Sequence, residues 1–246
     1  MNPDWIVPDW PLVSGVRSFC TTRIGGNSQG PWRSMNLGLK CGDEPEQVNR
    51  NRVILRQELP ADPIWLRQVH GTSVHRASST REAGCPEADA VVARHLLQVC
   101  AILTADCLPV VFCNRQGTEV AAAHAGWRGL CAGVLEETVR TMFSPAVDLQ
   151  AWLGPAIGPQ AYEVGEDVRT AFLQHDASAE TAFRQQGQRW LLDLYAVARQ
   201  RLEQVGVRNI SGGNFCTFSD PERFFSYRRD GVTGRMATLI WLDEFT

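Results

Sequence analysis

Three residues in this chain have side chains suited to chemistry and neighbours that would expose them. They are His70 in "RQVHG", Cys107 in "TADCLPVV" and His124 in "AAAHAGWRG". Each lies beside an apolar run that reads as a buried strand, next to a residue that punctuates the chain: Gly71, Pro109 or Gly126. Two imidazoles and a thiolate make a three-ligand set for zinc. Such a set leaves a fourth position for water, the mark of a catalytic rather than a structural zinc site. Zinc would lower the pKa of that water toward neutrality. A structural site would need a fourth protein ligand, and there is no paired-cysteine motif to supply one. The same residues also fit a cysteine nucleophile with a histidine base. Spacing alone leaves both chemistries open.

Local sequence suggests how each side chain is presented. His70 closes an expected strand and precedes Gly71. His75 lies five residues on and would face the other way if that strand continued unbroken, so His70 is the better candidate for a shared pocket. Pro109 lacks an N–H and interrupts the ladder next to Cys107. His124 leads through Gly126 into a helix predicted to start near Leu130. Free N–H groups at that start, with Arg128 beside them, would suit an anion.

The elements that must position these residues follow from periodicity. Strands are predicted over residues 16–22, 64–71, 89–93, 99–106, 108–114, 119–126, 149–157 and 236–242, all short and rich in Val, Ile, Leu and Trp. Helices are predicted over 44–59, 129–143, 165–176 and 190–206, with apolar residues three and four apart. Leu192, Tyr195, Ala196, Arg199 and Leu202 form one such stripe, and Gly206 ends it. Strands follow one another directly from about Ala88 to Gly126, so a mixed sheet packed by helices is expected rather than a doubly wound parallel sheet. There is no repeat, low-complexity segment or linker, so residues 1–246 read as a single α/β domain.

Composition narrows the function classes. The 246 residues are 44% hydrophobic, enough for a real core, and the net charge of −3 is mixed along the chain. No basic run points to nucleic acid. No apolar run reaches the length of a membrane span, and the first residues lack the pattern of a signal peptide. A cytoplasmic protein is expected. The eight cysteines are scattered without a CxxC pair and read as free thiols, with Cys20, Cys100, Cys113 and Cys131 as small buried hydrophobes.

Taken together, "TTRIGG", "SMNLGLKCGD", "NR", "WLRQVHG", "ADA", "TADCLPV", "AHAGWRG", "GPAIGPQAYEVG" and "FFSYRRDG" resemble the YfiH-type, or laccase-domain, family. Its members are variously called purine nucleoside phosphorylases, polyphenol oxidases and peptidoglycan editing factors. The resemblance runs from about Val7 to Leu242. It implies a YfiH/CNF-like single-domain α/β sandwich and zinc bound by the residues matching His70, Cys107 and His124. It also implies phosphorolysis of purine nucleosides to base and ribose 1-phosphate, deamination of adenosine and action on 5'-methylthioadenosine. Arg229, in the S-x-x-R-D motif, resembles a substrate contact.

On this reading the partners are a purine nucleoside and phosphate, with no nucleic acid or membrane, and the protein is a monomer or weak dimer. Arg23, Arg128 and Arg229 are candidate phosphate holders, because guanidinium matches phosphate in fork geometry. Asn36 could hydrogen-bond the substrate, and Glu163 or Asp106 could shuttle protons; turn or cap roles suit these three better than catalysis. Deamination would need an activated water attacking C6 of adenine, although the HxE…PCxxC signature of the nucleobase deaminases is absent. The oxidase name implies copper. Five histidines, with His95 and His175 in polar surroundings, cannot build a multi-copper cluster within one subunit, so copper is expected only when loaded in place of zinc. The editing name implies hydrolysis of a cell-wall precursor at the same three residues.

Overall fold

A computed structural model describes residues 2–78 and 84–244. In chain order its strands are β1 (Val16–Cys20), β2 (Pro63–Ile64), β3 (Val74–Arg76), β4 (Ala90–Ala93), β5 (Val99–Thr104), β6 (Leu108–Asn114), β7 (Val120–Ala125), β8 (Leu149–Leu153), β9 (Glu163–Val164), β10 (Phe183–Gln186), β11 (Arg189–Leu192), β12 (Asn209–Gly212) and β13 (Met236–Leu242). The α-helices are α1 (Pro45–Arg56), α2 (Trp127–Ala132), α3 (Val134–Thr141), α4 (Glu166–His175), α5 (Leu194–Gln204) and α6 (Tyr227–Asp230).

The expected mixed sheet is present, in the order β12-β8-β6-β7-β4-β3. Its inner pairs are antiparallel and its two outer pairs parallel. A second mixed sheet, β1-β13-β5-β2, stacks on it. The parity of the strands shows the stacking. Val111, Cys113, Val120, Ala122 and Trp152 face Cys100, Ile102, Met236 and Ile240 of the second sheet. Their alternate neighbours Val110, Phe112, Ala121 and Ala123 pack with α3, α4 and α5 through Leu135, Phe172 and Val197. On the outer side of the second sheet, Phe19, Leu239 and Trp241 pack with Leu55 of α1. Both faces of both sheets are therefore buried, which is why their strands read as continuous apolar runs rather than alternating ones.

Strands β6 and β13 match their predicted bounds. Other elements differ for local reasons. The helix expected over 129–143 is two helices, α2 and α3, broken at Gly133 with φ +99°, and α2 begins at Trp127 rather than near Leu130. The helix expected from Trp190 begins at Leu194, where the Asp193 side chain caps it by accepting from Ala196 N–H at 3.0 Å. Residues 189–192 form β11 instead, in a small sheet β10-β11-β9 that periodicity did not indicate. The strand expected over 64–71 ends at Ile64. Beyond it the chain stays on the sheet edge through one side chain: the Gln68 amide donates to Leu103 C=O and accepts from Leu103 N–H, both at 2.8 Å.

Candidate metal centre

Strand register brings the site together. Leu108 on β6 pairs with Ala125 on β7, so Cys107, one residue before β6, sits opposite Gly126, and His124 is one step back on the neighbouring strand. Ala90 on β4 pairs with Ala123, which sets Asp89 beside His124 on the other side; the His124 N–H donates to Asp89 C=O at 2.7 Å. Cys107, His124 and Asp89 therefore line up across the ends of three adjacent strands.

His70 arrives from a loop, not from a strand end as the sequence suggested, and its backbone is in the left-handed region at φ +62°. Histidine is among the residues that tolerate this region, but the conformation needs support. Asp89 provides it. Its fully buried carboxylate accepts from the N–H groups of Val69, His70 and Gly71 at 3.2, 2.9 and 2.7 Å. The same carboxylate lies 2.8 Å from His124 Nδ1. One buried acid thus fixes both the His70 loop and the His124 ring. An ionised carboxylate can only accept, so Nδ1 carries the proton and Nε2 is left as a donor to a metal.

The donor atoms of His70, Cys107 and His124 all lie within 4.8 Å of one another. Cys107 Sγ is 3.8 Å from His70 Nε2, and the two imidazole rings meet edge to face at 4.7 Å. Gly126 makes this approach sterically feasible. A Cβ there would stand 2.8 Å from the His70 ring and 3.0 Å from Cys107 Sγ. The backbone of Gly126 is ordinary extended backbone, at φ −62°, so space rather than conformation requires glycine.

The electrostatics suit a ligand thiolate. Burial alone would push the Cys107 thiol up; the charge and hydrogen bonds of His124 and His70 outweigh it and bring it down to about 6. Burial alone would push His124 down; the Cys107 thiolate and Asp89 overcome it and raise the imidazole to about 9. Among the described residues this is the only group of three or more metal-ligating side chains gathered in this way. Two nitrogens and one sulfur fit zinc with an open position. They do not fit a multi-copper cluster, because His95 and His175 are exposed and lie outside the group.

The other residues singled out from the sequence have different surroundings. The Asp106 carboxylate accepts from Thr217 Oγ1 at 2.6 Å and from Arg228 N–H at 2.7 Å, anchoring the turn before Cys107, where Asp106 itself has φ +88°. Asn36 is fully buried and bonded to Asp43, Gly38 and Arg235. Glu163 pairs with Arg189 at 3.4 Å on the exposed side of β9. The Arg23 guanidinium donates to the carbonyls of Arg33 and Pro221. Arg229 donates to the carbonyls of Thr217, Phe218 and Phe224 and forms a forked pair with Asp230. The guanidiniums of Arg23 and Arg229 are thus held within the fold. Arg128 is exposed and lies over the Trp127 ring at 4.5 Å. Sequence reasoning did not single out Asp89, and it took Gly126 only as a break in the chain. The signals available were an acid at the head of an apolar strand in "ADAVVA" and a glycine one residue past the strand bearing His124.

Comparison with known proteins agrees with this architecture. Residues 17–243 match the family described as multi-copper polyphenol oxidoreductase laccase. A protein of Shigella flexneri named purine nucleoside phosphorylase YfiH is 56% identical over 96% of this chain and 98% of its own length. A purine nucleoside phosphorylase of Pseudomonas aeruginosa is 50% identical over 98% of this chain and 99% of its own. A crystal structure of a Neisseria meningitidis protein assigned to the DUF152 family superposes with a TM-score of 0.94, at 50% identity, over 98% of this chain and 99% of that one. The Bacillus licheniformis hypothetical protein YfiH gives 0.86 at 30% identity, over 93% of each chain. The chain belongs to the YfiH-type, laccase-domain family.

Proposed function

We propose that this chain is a zinc-dependent purine nucleoside phosphorylase. Its substrates are adenosine, inosine, guanosine and 5'-methylthioadenosine, and its products the free base and ribose (or methylthioribose) 1-phosphate. The same site deaminates adenosine to inosine with water. The observation that carries this reading is the His70, Cys107 and His124 cluster backed by Asp89, in a chain whose full-length relatives are named purine nucleoside phosphorylases. Eight free thiols and no helix, among the described residues, long and apolar enough to cross a membrane fit the cytoplasmic setting this reading requires.

His70, Cys107 and His124 would hold the zinc, which supplies Lewis-acid polarisation when bound. The protein's own part is organisation. Asp89 holds the His124 tautomer and the His70 loop, so the donors are placed before metal or substrate arrives. In phosphorolysis a phosphate oxygen bonds to the ribose C1' as the C1'–N bond breaks. The base leaves with the electron pair and takes up the proton released by phosphate. Fixed positive charge near the site would offset the phosphate charge during this exchange, and Arg128, exposed two residues after Gly126, would contribute it.

The test uses zinc-counted protein purified without added copper and incubated with adenosine, with and without phosphate. Products are separated by chromatography. Adenine and ribose 1-phosphate formed only with phosphate, and inosine formed without it, are expected, both lost in Cys107→Ala. Unchanged adenosine from protein carrying one zinc per chain would overturn the reading.

A further inference from the structure

The arginines divide by how many of their donors the fold already engages. Arg229 makes hydrogen bonds through Nε, Nη1 and Nη2, and Arg23 is tied to two carbonyls with its guanidinium 4.8 Å over Phe225. Arg228, next in sequence to Arg229, is different. Its backbone N–H is fixed on Asp106, the residue before Cys107, and its Nη1 on Glu163 C=O at 2.7 Å. Its Nε and Nη2 have no hydrogen-bond partner among the described residues, and the side chain is exposed with its guanidinium 5.0 Å over the Tyr162 ring. Arg128 follows two residues after Gly126, against which the three donor side chains pack. Among the described residues its guanidinium makes no hydrogen bond or ion pair, and it lies over the Trp127 ring at 4.5 Å. The Tyr162 phenol is half-buried and likewise without a hydrogen-bond partner among the described residues. It lies in the field of both arginines, of Cys107 and of Asp106.

We propose that Arg128 and Arg228, with the phenol of Tyr162, form a phosphate-binding subsite beside the metal centre. A tetrahedral oxyanion takes forked N–H donors and a phenol O–H, and the open donors of these three groups match it. Arg228 thereby holds the place that sequence reasoning gave to its neighbour Arg229. The inference rests on the phosphorolytic reading above. The phosphate could be free inorganic phosphate or a phosphoryl group carried on a nucleotide, and the test separates the two.

Zinc-loaded wild type, Arg228→Ala, Arg128→Ala and the exposed surface control Arg208→Ala are titrated calorimetrically with inorganic phosphate and, separately, with adenosine 5'-monophosphate. Zinc content and circular dichroism confirm that each variant is folded and loaded. Inorganic phosphate binding weakened about tenfold or more in Arg228→Ala and Arg128→Ala, and unchanged in Arg208→Ala, is expected. The same pattern seen only with the monophosphate would keep the subsite and assign it to substrate-borne phosphate. Wild-type protein that binds neither ligand, or arginine variants that bind both as wild type does, would overturn the subsite. Adenosine turnover of wild type with phosphate is followed in parallel. Its absence would remove the phosphorolytic reading, while the binding data would still decide the subsite.

Discussion

At the scale of the residue, Asp89 does the most with one side chain. It receives four hydrogen bonds in a fully buried setting and joins two ligands from distant parts of the sequence. Replacing it with Asn keeps the shape but lets the amide donate toward His124 and weakens the hold on three backbone N–H groups. Asp89→Asn should lower zinc affinity by about 10–100-fold, measured by competition with a chromophoric chelator. The thiol makes a second prediction. In metal-free folded protein the Cys107 thiolate should persist down to about pH 6, against about 8.5 for an ordinary thiol. The pH dependence of Cys107 alkylation, followed by mass spectrometry with and without urea, reads this directly. The signs for stability follow. The depressed thiol contributes stability that is fully present above its unfolded value and is lost as pH falls through about 6. The raised imidazole contributes stability that is fully present below its unfolded value and is lost as pH rises through about 9. Between those limits the two slopes oppose each other, and metal-free stability should vary little with pH.

At the scale of the element, the site depends on how strands end. β6 begins and β7 ends at the same level, so a thiol before one and an imidazole near the end of the other meet over Gly126. Gly126→Ala should abolish stoichiometric zinc binding, because the added methyl would occupy the space the three ligands share; metal content after purification checks this. The break between α2 and α3 has a different origin. Gly133 sits at φ +99°, which a side chain disfavours, so Gly133→Ala should destabilise the fold by about 1 kcal/mol or more in urea unfolding. The loops behind Cys107 are laced together. Tyr195 Oη accepts from Ala156 N–H at 2.8 Å and donates toward Phe215 C=O at 3.0 Å, and Ile157 N–H donates to Asp106 C=O at 3.0 Å.

At the scale of the whole molecule, two stacked sheets between helical layers bury both faces of the strands that carry the site. A rigid frame of this kind can hold three ligand atoms to a fixed separation. The helical layer also contains a buried ion pair, Arg201 of α5 with Glu136 of α3 at 3.3 Å, with side chains 3% and 14% exposed. Removing one partner leaves the other charge stranded. Glu136→Ala should cost about 3–5 kcal/mol of stability, seen as a lower denaturation midpoint, with the zinc content of the folded fraction unchanged.

What the sequence by itself determined was the local chemistry. It indicated His70, Cys107 and His124, the bounds of β6 and β13, and a mixed sheet with helices, because residue type, apolar runs and Gly or Pro punctuation are properties of neighbouring residues. Only the tertiary structure decided which polar groups were already engaged. Arg228 and Arg229 are adjacent and alike in sequence, yet the carbonyls of Thr217, Phe218 and Phe224 take up one guanidinium, while the other uses only Nη1, on Glu163 C=O. The roles of Asp89 and Gly126 became legible only through register, since their partners arrive from other strands and from the His70 loop. The stacking of two sheets was likewise decided in three dimensions. A strand buried on both faces reads the same in sequence whether a helix or a second sheet covers it.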